Sequence, residues 1–510
     1  MKKSILAAII IIFVLGYILR VLYLPQLALS FAYDQARDAF IIRELLRGDI
    51  KILGPSVSGV PGLYHGVLYY YLIFPFYFIG QGNPIFVAYG QSFLSSITLF
   101  IVFGLAYLLT KKAVPSLISA LIFAFSYEAS QYANLLTNAS MAVWFVPILY
   151  LGLYVWITKF NKLGPIITGL GLGFTIQSDI ALAYHLLPVI FWLWVFKKNI
   201  KRADVLKFIV FLMAATSTMI LSEFRFGFKG ISGLFYLLSS QDAIVQKKEL
   251  GDILYIFVNQ IGKSMAYTMF PLSISFGGLV GFAMLFYSLI KKVKKGKESV
   301  LSWQRYLATY ILAHIVALPF GGTNMRHITA GTTAGIAVFI GIFLWKYFYK
   351  TKFLFIILLL LILFSNIAKI VKENQNGQTI FPLQEDLMLS KELDAVDYTY
   401  ITSAGKPFSI NTLTNPLYTN TLWSYLYNWQ GQKKYGYLPS WRGKDQVGQL
   451  GNNLTKSEAG VDLHFFIIEP TYGIPQEYVT WGLGEENSRS KLIEEKKFGE
   501  IIVQERISVK

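Results

Sequence analysis

Long apolar runs separated by short polar, lysine-rich blocks fill the chain up to about residue 372. A helix that crosses a bilayer needs roughly 17 to 25 apolar residues. By that measure the pattern predicts about eleven spans, near 4–24, 84–110, 113–129, 136–158, 163–178, 181–196, 205–222, 266–290, 303–320, 328–345 and 353–371. Basic residues gather between alternate spans: Lys2 and Lys3, Lys111 and Lys112, Lys159 and Lys162, KKNIKR at 197–202, KKVKKGK at 291–297, and Lys346, Lys350 and Lys352. Because positive loops stay in the cytoplasm, this bias puts the N-terminus inside and the C-terminal region outside.

Two longer polar stretches, 25–83 and 223–264, then fall on the outer side. Within the first, GVLYYYLIFPFYFIG at 66–80 is short, aromatic and broken by Pro75, which predicts a helix lying in the interface. The second carries two similar segments, GISGLFYLL and DILYIFV. From about residue 373 the spanning pattern stops. Short apolar runs such as HFFIIEP (464–470) and EIIVQER (500–506), with helix-like polar segments between them, predict an α/β domain over 373–510. The expected fold class is therefore mainly α: a polytopic helical membrane domain over 1–372 with an extracytoplasmic α/β domain at the C-terminus.

Composition agrees. Hydrophobic residues make up 54% of the 510 and charged ones 15%, against ~25% charged in soluble domains. The formal charge of +17 lies in the blocks between spans, so it reads as topology and not as a nucleic-acid partner. With no cysteine in the chain, disulfides, thiolate metal sites and cysteine nucleophiles are excluded. The first apolar run lacks a small-residue cleavage site before the polar loop, which favours a retained span over a signal peptide.

Candidate chemistry concentrates in FAYDQARDAFIIRELLRGDIKILGPSVSGVPGLYHGVLYYY, residues 31–71. A helix from Asp34 through Leu46 would set Asp34, Asp38, Ile41 and Leu45 along one stripe and turn Arg43 and Arg47 away. Two carboxylates at a membrane rim are placed to meet an amphiphilic substrate. The plainer alternative is that Asp34 caps the helix while Asp38 pairs with Arg37 or Arg43.

FAYDQARDAFIIRELLRGD followed by PGLYHGVLYYYLI resembles the first outer loop of the GT-C superfamily, in particular the dolichyl-phosphate-mannose protein mannosyltransferase and aminoarabinose transferase families. The chain departs from their pattern at Gln35, where a second acid often stands, and at His65-Gly66-Val67, where a basic residue and two prolines are common. The resemblance implies an inverting transfer from a sugar on polyprenyl phosphate to a lipid, protein or cell-wall glycan acceptor on the outer face. In such a reaction Asp34 is the general base, with Asp38 in reserve. Cations must stabilise the leaving phosphate, and the candidates are Arg326 and His327 in GGTNMRHITAG, Arg225 in LSEFRFGFKG, and His65 with its neighbour Tyr64. Each has a plainer role, as a headgroup anchor, salt bridge or structural hydrogen bond.

Asp179, in IQSDIALAYH, and Glu223 are the carboxylates placed for the acceptor, although a helix cap explains Asp179 equally well. Glu128 is a weaker candidate, and His185 and His314 inside spans are expected to satisfy neighbouring helices. Gly169, Gly171 and Gly173 lie in an apolar span, where close helix packing is their expected use. No cofactor is expected; a divalent cation would be compatible, but no ligand spacing marks a site for one. The rival reading from another class is a transporter or lipid flippase, which would bury charges mid-span and pair interrupted helices. A catalytically idle scaffold is a third.

Overall fold

The structure, a computed structural model, describes residues 3–57, 62–159, 161–239, 249–291, 301–315, 325–381, 386–444, 454–456 and 461–509. The basic block beyond Lys291, the start of GGTNMRHITAG and Asn453, which heads one of two sequences fitting the Asn-x-Ser/Thr glycosylation motif, lie outside the described residues. The chain forms two compact units, one of Met1–Leu22, Lys51–Leu72 and Tyr89–Lys372, the other of Tyr23–Ile50, Ile73–Ala88 and Glu373–Lys510. Two pieces of the first polar stretch thus belong with the C-terminal region.

Among the described residues, length and hydropathy make four helices, each lying mostly in the first unit, the span unit, fit to cross a membrane: Lys3–Gln26, Pro84–Thr110, Asn138–Thr158 and Lys352–Asn376. Three more candidates are bent pairs, Ala113–Phe125 with Tyr127–Asn134 (53°), Arg202–Ala215 with Ser217–Arg225 (63°), and Leu250–Met269 with Ile274–Ile290 (99°). Shorter apolar helices include Leu68–Ile79, Ile180–Val195 and Thr332–Phe348. The protein is a helical membrane protein, as the periodicity predicts. One difference falls in the second polar stretch, where DILYIFV lies inside the 20-residue helix Leu250–Met269 instead of forming a separate segment.

A helix break inside an apolar bundle frees carbonyls that must find donors. At the break after Phe125 they find Arg20, which donates to Ala124 O at 2.9 Å and Phe123 O at 3.2 Å. Asn366 Oδ1 accepts the Tyr127 amide at 2.9 Å and so starts the next segment. The glycine run works as packing: a Cβ on Gly169 or Gly173 would strike the helix Arg202–Ala215 at 2.5 Å, and one on Gly171 would strike Leu149 at 2.7 Å. Asn138, the other glycosylation motif, is buried and donates to Ser178 O at 2.6 Å.

The second unit, the sheet unit, is built on a mixed five-stranded sheet of β1 (Ser409–Leu413), β2 (Ser440–Trp441), β3 (Leu463–Ile468), β4 (Ser490–Phe498) and β5 (Ile501–Ser508) in the order β2-β1-β3-β5-β4. β1 pairs parallel with β2 and β3, while β5 runs antiparallel to β3 and β4. β3 and β5 are the two strands legible from the apolar runs. β3 is buried on both faces, which is why it reads as a continuous run without alternation. Phe466 joins Leu413, Ile468 and Val479 in one core cluster, and Phe465 meets Tyr398 of the helix Leu389–Ser403 at 6.2 Å on the other face. Trp423 and Trp441 are buried, so these two aromatics serve as core.

Candidate functional site

In the sheet unit, the loop singled out by its charges forms the helix Tyr33–Leu46. It packs through Phe40 on Tyr425, ring centroids 5.4 Å apart. Its N-cap is Ala32, and the Ala32 amide is taken by Gln35 Oε1 at 2.9 Å. Capping thus falls to the residue that stands where relatives of the pattern carry an acid. Asp34, in the first turn, is left for other work.

Arg37 joins the two carboxylates. Its Nη1 donates to Asp34 Oδ1 at 2.6 Å, and its Nε and Nη2 donate to Asp38 Oδ1 at 2.9 and 2.8 Å. Side-chain exposure rises along the trio, from 2% for Asp38 and 13% for Arg37 to 48% for Asp34. The buried acid anchors the arginine, and the arginine fixes one oxygen of the open acid. Asp34 Oδ2 has no protein partner among the described residues. Arg37 was legible only as a possible pairing partner; its position three residues after Asp34 and one before Asp38 is the signal that marks it as a bridge. Of the arginines expected to face away, Arg47 is exposed and Arg43 is half-buried over the Phe40 ring at 5.6 Å.

The span unit brings three other candidates together. His65 Nδ1 stands 3.6 Å from Asp179 Oδ1, and His327 Nε2 stands 3.6 Å from Asp179 Oδ2. Asp179 is also the N-cap of the short helix Ile180–His185, accepting the Ala181 amide at 2.9 Å. The cap and the histidine contacts therefore coexist. His65 reaches this place because Gly66 lets the chain approach closely: the Gly66 amide donates to Gln177 O at 3.0 Å and the Leu68 amide to Gln177 Oε1 at 3.1 Å. A Cβ on Gly66 would lie 2.4 Å from Gln177 Oε1. The departure from the double proline is what allows this contact. Tyr64, beside it, bridges to Ser56.

Arg326 is committed elsewhere in the same unit. It forms an ion pair with Glu128, donates to Gln260 Oε1 at 2.9 Å and Ser264 Oγ at 3.1 Å, and lies over the Tyr267 ring at 5.3 Å. Thr333 Oγ1 donates to the other Glu128 oxygen at 2.6 Å. Both charges are buried. Three tyrosine hydroxyls hold the backbone that follows, Tyr132 on Arg326 O at 2.8 Å, Tyr184 on Ile328 O at 2.8 Å and Tyr310 on Gly331 O at 2.7 Å. The segment that presents His327 is thereby fixed at three points. An acid in an otherwise apolar stretch was the sequence signal for Glu128.

Glu223 and Arg225 are not part of this grouping. Glu223 accepts the Ile231 amide at 3.1 Å at the start of the next helix, and Arg225 is exposed over Phe226 at 5.8 Å. Among the described residues no three of His, Asp and Glu gather in a way that could hold a metal ion.

With its bent and broken apolar helices and mixed sheet, the chain is similar in fold to two solved structures. The crystal structure of ArnT from Cupriavidus metallidurans bound to undecaprenyl phosphate is similar over 99% of this chain and 98% of its own, with a TM-score of 0.61 and 7% identity. The archaeal oligosaccharyltransferase AglB from Archaeoglobus fulgidus, in complex with an inhibitory peptide and a dolichol-phosphate, is similar over 91% of this chain and 69% of its own, with a TM-score of 0.51 and 12% identity. These likenesses are ones of fold. No family model and no curated protein matches the sequence.

Proposed function

We propose that this protein is an integral-membrane glycosyltransferase that moves a sugar from a polyprenyl-phosphate donor to an acceptor on the outer face of the membrane, with inversion at the anomeric carbon. The observation that carries the reading is the half-exposed Asp34 carboxylate at the head of an otherwise buried helix, fixed by Arg37 on the buried Asp38. A fold similar to one seen with undecaprenyl phosphate and to one seen with a dolichol-phosphate supports the donor class.

In this reading the acceptor's nucleophile gives its proton to Asp34 as it bonds to the anomeric carbon. The bond from that carbon to the phosphate oxygen breaks, and the phosphate leaves with the electron pair as a stable anion. Asp38, enclosed by the protein, positions Arg37 and does not take the proton. Within the span unit, His65 and His327, with Asp179 between them and Tyr64 at the same turn, are the candidates for binding a phosphate or an acceptor. Arg326 supports His327 from within its ion pair with Glu128. Charge bias places the reacting side outside the cytoplasm, where no nucleotide sugar is available and a lipid tail must carry the donor.

One observation favours the rival reading of passage through the bilayer: the buried Glu128–Arg326 pair beside a broken span, a combination typical of transporters. The two are separated by giving purified protein in membranes a panel of labelled polyprenyl-phosphate sugars. Transfer predicts release of free polyprenyl phosphate and a product of inverted anomeric configuration. Movement of intact donor between leaflets without cleavage, or a product of retained configuration, contradicts it.

A further inference from the structure

The sheet unit holds a cavity of about 270 Å³, partly open to solvent, that none of the roles above uses. It lies at the far end of the Asp34 helix, where Ile42, Arg43 and Leu46 form one wall. Arg43 is nine residues after Asp34, which on a helix is roughly 13 Å along the axis and about half a turn around it. The cavity is thus a separate place from the open carboxylate. Its opposite wall is Tyr425, Asn428, Trp429 and Lys433, and Phe78 and Gln81 close a third side.

Three features give this cavity its chemistry. First, it is cationic: Arg43 and Lys433 line it, no carboxylate does, and neither cation has an ion-pair partner among the described residues. Lys434 next door differs, because Asp397 holds it at 2.6 Å. Second, its walls are preformed. The Tyr425 hydroxyl donates to Gly82 O, the Asn428 amide donates to Ser424 O at 2.9 Å, and the Trp429 ring lies at 23° to Tyr425. Gly82 itself sits at φ +85° with Trp429 and Tyr425 atoms 3.4 Å from where a Cβ would stand, so the turn admits little else. The Trp429 Nε1–H has no acceptor among the described residues. Third, part of its lining is apolar and open: Leu46 and Phe78 are 40% and 64% exposed.

A guanidinium, an ammonium and an indole N–H around an aromatic-walled hollow suit a phosphate oxyanion. Exposed aliphatic and phenyl groups in that lining suit an acyl chain. A soluble phosphate would leave them in water, and a zwitterionic lipid would bring its own cation to a cationic wall. We propose that this cavity is a headgroup site for an anionic glycerophospholipid, with the phosphodiester between Arg43 and Lys433, the glycerol carbons against Trp429, and the chains running over Phe78 and Leu46.

The test uses the full-length protein in detergent, titrated with dihexanoyl-phosphatidylglycerol, dihexanoyl-phosphatidylcholine and glycerol phosphate, and read by native mass spectrometry and thermal shift. Phosphatidylglycerol is expected to bind saturably at one site, and the Arg43→Gln/Lys433→Gln variant to bind it at least about tenfold more weakly, the loss expected from charge-assisted contacts. Because Arg43 also packs on Phe40, Lys433→Glu alone, at an exposed position, serves as the second variant and should weaken binding in the same direction. Equal binding by wild type and Lys433→Glu would overturn the proposal. So would phosphatidylcholine binding as tightly as phosphatidylglycerol, or glycerol phosphate binding as tightly as the lipid, which would make the site one for a soluble phosphate.

Discussion

Each unit of this protein contains an arginine set among carboxylates, and the two settings differ in what they leave over. In the span unit, Arg326 and Glu128 are 6% and 0% exposed, and their polar atoms, Arg326 Nε apart, go to each other and to Gln260, Ser264 and Thr333. In the sheet unit, Arg37 is held by one buried acid and passes its remaining donor to an acid that is 48% exposed. The first arrangement is closed to solvent, because a charge taken from water needs partners from the protein. The second is open at one oxygen. Burial therefore separates an ion pair enclosed among helices from a carboxylate that keeps one oxygen open to solvent.

Breaking the closed pair on one side should have the largest effect. Arg326→Met leaves Glu128 buried without its cation, at a cost of about 3–5 kcal/mol, seen as a large drop in melting temperature of the protein in detergent. Adding Glu128→Leu removes the stranded charge and should recover much of that loss. If the single and double variants melt alike, the pair does not hold the span unit as described.

A second contrast lies between buried carboxylates of the sheet unit. Burial pushes the Glu469 carboxyl up to about 7, against the Asn415 amide and Trp423 indole that hold it down. Burial and the neighbouring Glu469 likewise keep the Glu392 carboxyl well above its usual range. Burial acts the same way on Glu486, but His464, Ser490 and Asn411 outweigh it and bring that group to about 2. An unfolded glutamate titrates near ~4.3, so between there and pH 7 the native state keeps a proton on Glu469 that the unfolded chain has lost. The corresponding stabilisation, ~4 kcal/mol, is complete below that range and gone above about pH 7. Glu486 contributes in the opposite sense, losing its stabilisation as the pH falls toward 2. Melting followed from pH 8 down to pH 5 should rise, and Glu469→Gln should flatten the rise. A melting temperature that climbs with pH across this window would reverse the assignment.

A smaller effect is expected at the turn that presents His65. Gly66→Ala pushes a methyl against Gln177 and should cost about 1–3 kcal/mol. It should also lower transfer more than Tyr64→Phe does, since it displaces the histidine and the tyrosine variant only removes a hydroxyl. Equal effects would detach His65 from the site.

Much of the fold was legible because apolar length and lysine placement are themselves the physics of membrane insertion. Four of the expected spans are single long helices. The breaks were not legible: Ser126, Thr216 and Ser273 each fall inside a single expected span, and the carbonyls freed at 126 are met by Arg20, more than a hundred residues earlier. In the sheet unit, β3 and β5 showed as apolar runs, whereas β4 (SKLIEEKKF) is exposed over most of its length and reads as polar sequence. At the site, the helix and both aspartates could be read from spacing of three and four. The approach of His65 and His327 to Asp179 could not, since it joins residues more than a hundred positions apart. Nor could the use of Glu223 as a local cap, which depends on where the following helix begins.

The most direct measurement compares transfer and folding in one variant. Asp34→Asn keeps the shape of the side chain and removes its basicity, so sugar transfer from the preferred polyprenyl-phosphate donor should fall by roughly 10²–10⁴-fold, with the melting temperature in detergent close to that of the wild type. Transfer at the wild-type rate by a well-folded Asp34→Asn protein would contradict the account.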